Sequence, residues 1–154
     1  MKVLIIYDSY FGNTEKIAQA LRDSFGKDTN VEIIKVSDCK VEQLNELDLL
    51  IVGSPTRAFR PTPAITTFLN SIPPNSLSGV KVAAFDTRVA PEDIKSSFLR
   101  FMVKTGGYAA KPIANMLVKK GGTLIVPPEG FAVNGNEGPL KEGELDRAKG
   151  WIKL

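Results

Sequence analysis

The sequence predicts a single α/β domain over residues 1–154, built on a doubly wound, five-stranded parallel sheet. Short apolar runs alternate with amphipathic stretches along the whole chain, as strands and helices do in α/β proteins. Three of the runs are nearly continuous in apolar residues, which is typical of strands covered by helices on both faces. A length of 154 residues suits one domain, and the sequence contains no repeat or linker.

Five apolar runs are the predicted strands. They are Lys2–Tyr7, Val31–Val36, Asp48–Val52, Val80–Phe85 and Thr123–Val126. The Gly- and Pro-rich stretch Pro127–Gly143 follows the last run. We predict a long ordered loop there, because the stretch carries Phe131, Val133 and Leu140.

Six amphipathic segments between and after the strands are the predicted helices. Their apolar residues recur at helical spacing: Ile17, Leu21 and Phe25; Val41, Leu44 and Leu47; Ile65, Phe68, Leu69 and Ile72; Ile94, Phe98, Leu99 and Met102; Ile113, Met116 and Leu117; Leu145, Ala148 and Ile152. We expect Asn13 or Thr14 to cap the first helix and Gly26 to end it. Pro73-Pro74 should stop the third helix, and Pro91 should begin the fourth.

The segment Arg88–Thr105, which carries the fourth predicted helix, is longer than a simple connection between a strand and a helix requires. We expect it to hang over one end of the sheet.

The absence of histidine and the scarcity of cysteine exclude several kinds of chemistry. Without histidine there is no Ser-His-Asp or Cys-His catalytic group and no imidazole-ligated metal. With Cys39 as the only cysteine there is no internal disulfide, thiolate zinc site or four-cysteine iron–sulfur cluster. A redox role would therefore require an organic cofactor. We predict no catalytic residue and no metal site.

The charge and hydropathy patterns give no sign of nucleic-acid or membrane binding. The net charge is +3, and the longest run of lysines is Lys119-Lys120, which indicates an ordinary solvated surface. No apolar run approaches the ~20 residues that span a bilayer. The apolar stretch at the amino end is too short for a signal peptide. We expect a cytoplasmic protein.

The loop after the first strand, Asp8–Thr14, has the composition of a phosphate-binding loop. In an open α/β sheet, ligands bind beyond the carboxyl ends of the strands. Ser9, Asn13 and Thr14 supply polar side chains there, and the amino end of a helix attracts anions. Neither GxxxxGK[ST] nor GxGxxG is present in this loop. The alternative is an ordinary strand–helix joint in which Ser and Thr only cap the helix.

Two motifs together resemble the flavodoxin family. Ser9-x-x-Gly12-Asn13-Thr14 is similar to the loop that holds the FMN phosphate, and Gly53-Ser54-Pro55-Thr56-Arg57 is similar to the second FMN loop. The second motif is especially similar to that of flavodoxin-like quinone oxidoreductases. The resemblance covers nearly the whole chain. It implies strand order 2-1-3-4-5, FMN as cofactor, redox proteins as partners and a monomer.

The resemblance also implies roles for particular residues. The phosphate would be held by Ser9, Tyr10, Phe11, Gly12, Asn13 and Thr14; the ring and ribityl chain by Ser54, Pro55, Thr56, Arg57, Ala58 and Phe59; and the pyrimidine edge by Asp86, Thr87 and Arg88. Phe59 would stack on the flavin, or else be a core residue. Arg57 would pair with flavin oxygens or be a solvated surface group, and Asp86 would touch the flavin or cap the segment after its strand.

Four features depart from the family pattern. The only tryptophan, Trp151, lies in the last predicted helix, where a packing role is expected. No aromatic residue directly follows the fourth predicted strand, since Tyr108 comes only after the segment Arg88–Thr105, and the chain is basic where flavodoxins are typically acidic. The second loop has no glycine between Gly53 and Gly79, so a positive φ there would strain a residue by about 1 kcal/mol.

The resemblance favours a small, non-enzymatic electron carrier in which FMN supplies the redox chemistry. A different class, a small NAD(P)H-dependent FMN quinone reductase, is the alternative that the second loop suggests. A third possibility is a domain that has lost its flavin and binds a partner protein.

Overall fold

The computed structural model describes the backbone of residues 1–154 and the side chains of all of them except residues 102–106. The elements in chain order are β1 (Lys2–Tyr7), α1 (Asn13–Ser24), β2 (Asn30–Lys35), β3 (Leu49–Pro55), α2 (Pro63–Ser71), β4 (Lys81–Val89), α3 (Ser97–Gly106), α4 (Ala110–Lys119), β5 (Thr123–Leu124), β6 (Glu129–Val133) and α5 (Glu144–Lys149). Short 3-10 turns occupy Val36–Asp38, Val41–Leu44 and Pro91–Asp93. The alternation of strands and helices confirms the predicted fold class.

The strands form one parallel sheet in the order β2-β1-β3-β4-β5, which confirms the expected topology. β5 pairs with Lys81 and Val82 of β4, and β6 pairs with the later stretch Phe85–Val89. The opposite edge of β4 is taken by β3. β5 and β6 therefore follow one another along the same edge and together fill the fifth position of the sheet.

The prediction of a loop for the Gly- and Pro-rich stretch is wrong in part, because Glu129–Val133 form β6. Phe131 and Val133 are buried while Ala132 between them is partly exposed, so the strand has the alternation of a sheet edge. The strand has only five residues and contains a glycine. The alternation of buried and exposed residues was therefore too short to be recognised in the sequence. The fifth predicted strand is also shorter than expected and ends at Leu124.

Several predicted helix boundaries are corrected. α1 begins after Gly12, whose φ of 89° is left-handed, and no side chain caps it. The expected caps, Asn13 and Thr14, lie inside the helix, where their side chains bond to other parts of the chain. The helix ends at Ser24, before Gly26.

The remaining differences concern three shorter segments. The second predicted helix is the 3-10 turn Val41–Leu44, and the fourth is a turn at Pro91–Asp93 followed by α3. The packing predicted for Met102 lies outside the described side chains. α5 ends at Lys149, and so Trp151 lies just beyond it.

Each face of the sheet carries its own apolar core. Leu4 and Ile6 of β1 pack with α2 and α4, whereas Val3 and Ile5 pack with α1 and α5. This alternation makes the sheet doubly wound. Trp151 packs edge-on against Phe85 and Phe131, with ring centres 6.1 and 5.9 Å away. In the described part of the chain, no helix has the length and apolarity needed to cross a membrane.

Candidate functional site

The loops that follow β1, β3 and β4 meet at the carboxyl edge of the sheet. The N–H of Asp8 donates to the carbonyl of Gly53 (3.1 Å), and the N–H of Thr56 donates to that of Thr87 (2.9 Å). A cavity of about 60 Å³, called here the small cavity, opens between the loops. Ten predicted site residues line it: Ser9, Tyr10, Phe11, Asn13, Thr14, Pro55, Thr56, Arg57, Thr87 and Arg88.

The first loop presents backbone donors to the small cavity. The N–H of Gly12 donates to the Ser9 hydroxyl oxygen (3.0 Å), which folds the loop tightly before α1. The N–H groups of Asn13 and Thr14, in the first turn of α1, have no acceptor among the described atoms. Free N–H groups at the amino end of a helix bind anions, and this end of α1 is therefore equipped to hold a phosphate.

A pair of hydroxyl groups from two loops adds a further donor. The hydroxyl oxygens of Thr14 and Thr87 lie 2.8 Å apart, and both residues are buried. Only one of the two hydroxyl hydrogens is used between them, so the other remains able to donate to a ligand oxygen. The pair also ties the start of α1 to the end of β4.

The side-chain amide of Asn13 has a structural role, because it is already hydrogen-bonded within the protein. Its Nδ2 donates to the carbonyl of Glu137 (2.9 Å), which holds the loop after β6 against α1. A Cβ on Gly138 would lie 2.4 Å from that nitrogen and would displace the Asn13 amide, and the φ of 95° at this position also favours glycine.

The second loop forms a tight hairpin turn. Arg57 and Arg60 exchange two backbone hydrogen bonds of 2.8 and 2.9 Å. Ala58 and Phe59 between them have φ of 48° and 67°, the positive values of a type I′ turn. The Arg57 guanidinium lies over the rings of Tyr10 and Phe11, 5.2 and 5.8 Å from their centres. The Arg57 side chain is therefore exposed to solvent but also packs on these two rings.

Ser54 lies beneath the second loop and does not line either cavity. It is fully buried, accepts the N–H of Thr62 (3.0 Å) and donates to the carbonyl of Pro55 (2.9 Å). The hydroxyl thus fixes the path from β3 towards α2.

A larger cavity of about 490 Å³ adjoins the small one, and Thr56, Val89 and Asn136 line both. This volume is in the range of small-molecule sites. Phe59 and Ala58 line it from the second loop, with Tyr108 also in its wall. Phe59 is partly exposed, so it is a cavity residue and not part of either apolar core.

Asp86 is buried away from both cavities and organises the residues around them. Its carboxylate accepts two hydrogen bonds of 2.6 Å from Arg88 and one of 2.9 Å from the N–H of Ala110 at the start of α4. Burial raises the pKa of Asp86, while these hydrogen bonds act to lower it. The helix that Asp86 caps is therefore α4, and not the segment directly after its own strand.

Tyr108 returns to the site from the far end of the inserted segment. Its ring centre lies 3.7 Å from the Arg88 guanidinium, and its hydroxyl donates to the carbonyl of Val89 (3.0 Å). Next to it, the N–H of Ala109 donates to the Thr56 hydroxyl (3.1 Å). Sequence reasoning missed Tyr108 as a site residue because these contacts are distant in the chain. It also missed Asn136, although the position of Asn136 after the last strand follows the strand-end rule.

The arrangement defines a class of protein: a doubly wound α/β protein in which the amino end of a helix lies beside a cavity lined by aromatic residues, at the sheet edge where proteins of this class bind mononucleotides. Comparison with known proteins makes this specific. Residues 4–119 match the flavodoxin domain family, and the chain belongs to that family. FMN is the cofactor that this membership assigns, and its phosphate and ring are consistent with the small and the larger cavity.

Individual relatives are similar over different lengths. A flavodoxin of Picosynechococcus sp. is 38% identical over 55 residues, which cover 36% of this chain and 32% of the relative. The chain thus matches about a third of the length of its curated relatives. The structure of an archaeal flavodoxin has a TM-score of 0.77 at 24% identity, over 98% of this chain and 93% of that one. The structure of rubredoxin oxygen:oxidoreductase from Desulfovibrio gigas has a TM-score of 0.72 at 23% identity, over 97% of this chain and 34% of that one. At these identities the two structures show the fold alone.

Proposed function

We propose that this chain binds FMN across the two cavities and carries electrons between redox proteins. The observation that carries the proposal is the adjacency of an anion-binding loop and an aromatic-lined cavity in a member of the flavodoxin family. When bound, FMN supplies the redox chemistry. The chain supplies binding and orientation.

The described side chains divide this work between them. The N–H groups of Asn13 and Thr14 and the spare hydroxyl hydrogen of the Thr14–Thr87 pair would hold the phosphate. Phe59 and Tyr108 would provide flat apolar contacts for the ring, since aromatic planes pack well on one another. Arg88, held by Asp86 and reaching the small cavity, would place a guanidinium at the same site.

The second loop keeps open the alternative of a small NAD(P)H-dependent FMN quinone reductase. A carrier and a reductase differ in one measurable property, the rate at which the flavin accepts a hydride directly from a nicotinamide. Neither function requires this chain to supply an acid, base or nucleophile, which agrees with the absence of histidine from the sequence.

The experiment that tests the proposal begins with a titration of FMN into flavin-free protein. Binding is measured by the quenching of flavin fluorescence. We expect stoichiometric binding and reversible reduction by light and a sacrificial donor. NADPH consumption with a soluble quinone is then measured on the same sample. Rapid turnover would replace the carrier with the reductase, and failure to bind FMN would remove both.

A further inference from the structure

Exposed apolar side chains lie beside both cavities, Leu99 at the larger one and Tyr10 and Phe11 at the small one. Phe98 and Leu99 of α3 are 69% and 45% exposed, and Tyr10 and Phe11 of the first loop are 51% and 48% exposed. Large apolar side chains that are clustered and exposed usually mark an interaction site. We call the surface formed by these four residues, together with the charged residues that border it, the cavity rim.

The two halves of the cavity rim are continuous. Leu99 and Lys95 line the larger cavity together with Ala58 and Phe59 of the second loop. Ala58 also lines a neighbouring groove with Phe11 and Arg57. The rim therefore runs from the first loop, across the second loop, to the inserted segment.

Basic side chains dominate the charge of the cavity rim. Arg57, Lys95, Asp93 and Glu137 line the larger cavity or the neighbouring groove. Arg60, Glu92 and Arg100 are the chain neighbours of the lining residues Phe59, Asp93 and Leu99, and Lys141 pairs with Asp93, which gives five cations against three anions. Asp93 is neutralised by an ion pair with Lys141. Arg57 and Lys95, which line the cavities, form no ion pair among the described residues.

We propose that the cavity rim docks an acidic electron-transfer protein, an inference that rests on the proposed function. An apolar centre with a charged border is the usual composition of a protein interface. The basic border would attract an acidic partner and orient it during encounter, and it would repel a second copy of this chain. A partner docked there would cover the cavity in which the FMN ring is proposed to lie.

The test uses FMN-loaded protein, reduced before mixing, and two c-type cytochromes of similar potential, one acidic and one basic. Second-order rates of electron transfer are measured over a salt series. We expect the acidic cytochrome to react faster at low salt and to slow as salt is added. Lys95→Glu, alone or together with Arg100→Glu, should lower that low-salt rate about three- to tenfold. Phe98→Ser should lower it at every salt concentration, because apolar contact is not screened.

Lys27→Glu is the matched control. Lys27 is exposed in the α1–β2 connection, at the opposite edge of the sheet, so its reversal changes the net charge equally per residue without touching the cavity rim. A zero-length carbodiimide cross-link from Lys95 to carboxylates of the acidic cytochrome provides a readout independent of electron transfer.

Several outcomes would overturn the proposal. They are a faster reaction with the basic cytochrome at low salt, equal effects of Lys95→Glu and Lys27→Glu, a dimer of this chain that Phe98→Ser abolishes, or binding to anionic vesicles through α3. Failure of the proposed function is distinguishable, because the protein would then lack bound flavin before any partner is added.

Discussion

The ring of Phe85 on β4 lies over Gly53 on β3, in the space that a side chain at position 53 would need. The two residues are register partners in the parallel sheet. A Cβ at Gly53 would come 2.0 Å from Cζ of Phe85. Phe85 is fully buried and packs edge-on against Phe131 and Trp151, so its ring has little room to move. The glycine that begins the second loop's motif is therefore required by packing.

Gly53→Ala should destabilise the fold by about 1–3 kcal/mol, because the added methyl overpacks a filled core. Urea unfolding measures the loss. The control is the same substitution in a Phe85→Leu background, where a smaller side chain leaves space for it. We expect Gly53→Ala to cost clearly less there, and an equal cost in both backgrounds would contradict the proposed clash.

The turn at Ala58 and Phe59 gives a second prediction. Both residues have positive φ, which strains a non-glycine residue by about 1 kcal/mol or more. Ala58→Gly should therefore raise the free energy of unfolding by roughly 0.5–1 kcal/mol, the strain relieved being partly offset by the greater freedom of glycine in the unfolded chain.

Ala64→Gly is the matched control for this substitution. Ala64 is exposed in α2, where glycine is a poorer residue than alanine, and its replacement should cost up to about 1 kcal/mol. Loss of stability in both variants would mean that Ala58 is not strained.

The sequence predicted the parts of this molecule that depend on local pattern. The runs around Ile5, Ile51 and Ala83 are apolar because helices cover both faces of the central strands, and this pattern is visible without a structure. The first loop was identified by its position between a strand and a helix. That its residues bind FMN stays a prediction.

Features set by distant contacts could not be predicted in the same way. Tyr108 reaches the larger cavity through Arg88 and Val89, which lie about twenty residues away in the chain. Asn13 was expected to cap its own helix, but its amide donates to Glu137 instead. β6 depends on pairing with β4, and its glycine and the prolines before it favoured a loop.

Glu144 gives a prediction for the pH dependence of stability. Its carboxylate accepts the N–H of Ala132 in β6 (2.8 Å) and hydrogen bonds of 3.0 and 2.7 Å from Arg147. Partial burial alone would raise the pKa of Glu144, but these hydrogen bonds lower it below its ordinary value. Its ionised form therefore stabilises the folded state above the unfolded pKa of about 4.3.

Glu144→Gln should lower the free energy of unfolding at pH 7 by about 1–2 kcal/mol, less than the full value of a hydrogen bond to a charged group because the Arg147 side chain is 42% exposed and water screens the pair. Because the folded pKa is depressed, this difference should shrink as the pH falls through it. Urea unfolding of both proteins between pH 7 and pH 3 (roughly the range that brackets a lowered glutamate pKa) measures the effect. Glu142→Gln, at an exposed neighbour, should change little at any pH. A difference for Glu144→Gln that does not vary with pH would exclude the ionised carboxylate as its source.

The hydroxyl pair of Thr14 and Thr87 gives the last prediction. Its spare hydrogen would donate to the FMN phosphate, and a hydrogen bond to a charged group contributes about 1.5–3 kcal/mol. Thr14→Ala should therefore weaken FMN binding by about tenfold or more. Ser9→Ala should have a similar effect for a separate reason, because the Ser9 hydroxyl lines the small cavity, and its oxygen accepts the N–H of Gly12, which leaves its hydrogen for the phosphate. Riboflavin lacks the phosphate and should lose much less, whereas Thr14→Ser keeps the hydroxyl and should bind FMN nearly as well as the parent protein. Flavin fluorescence titrations with both ligands measure these affinities. Equal losses for FMN and riboflavin would show that the pair supports the fold of the loop and does not contact the phosphate.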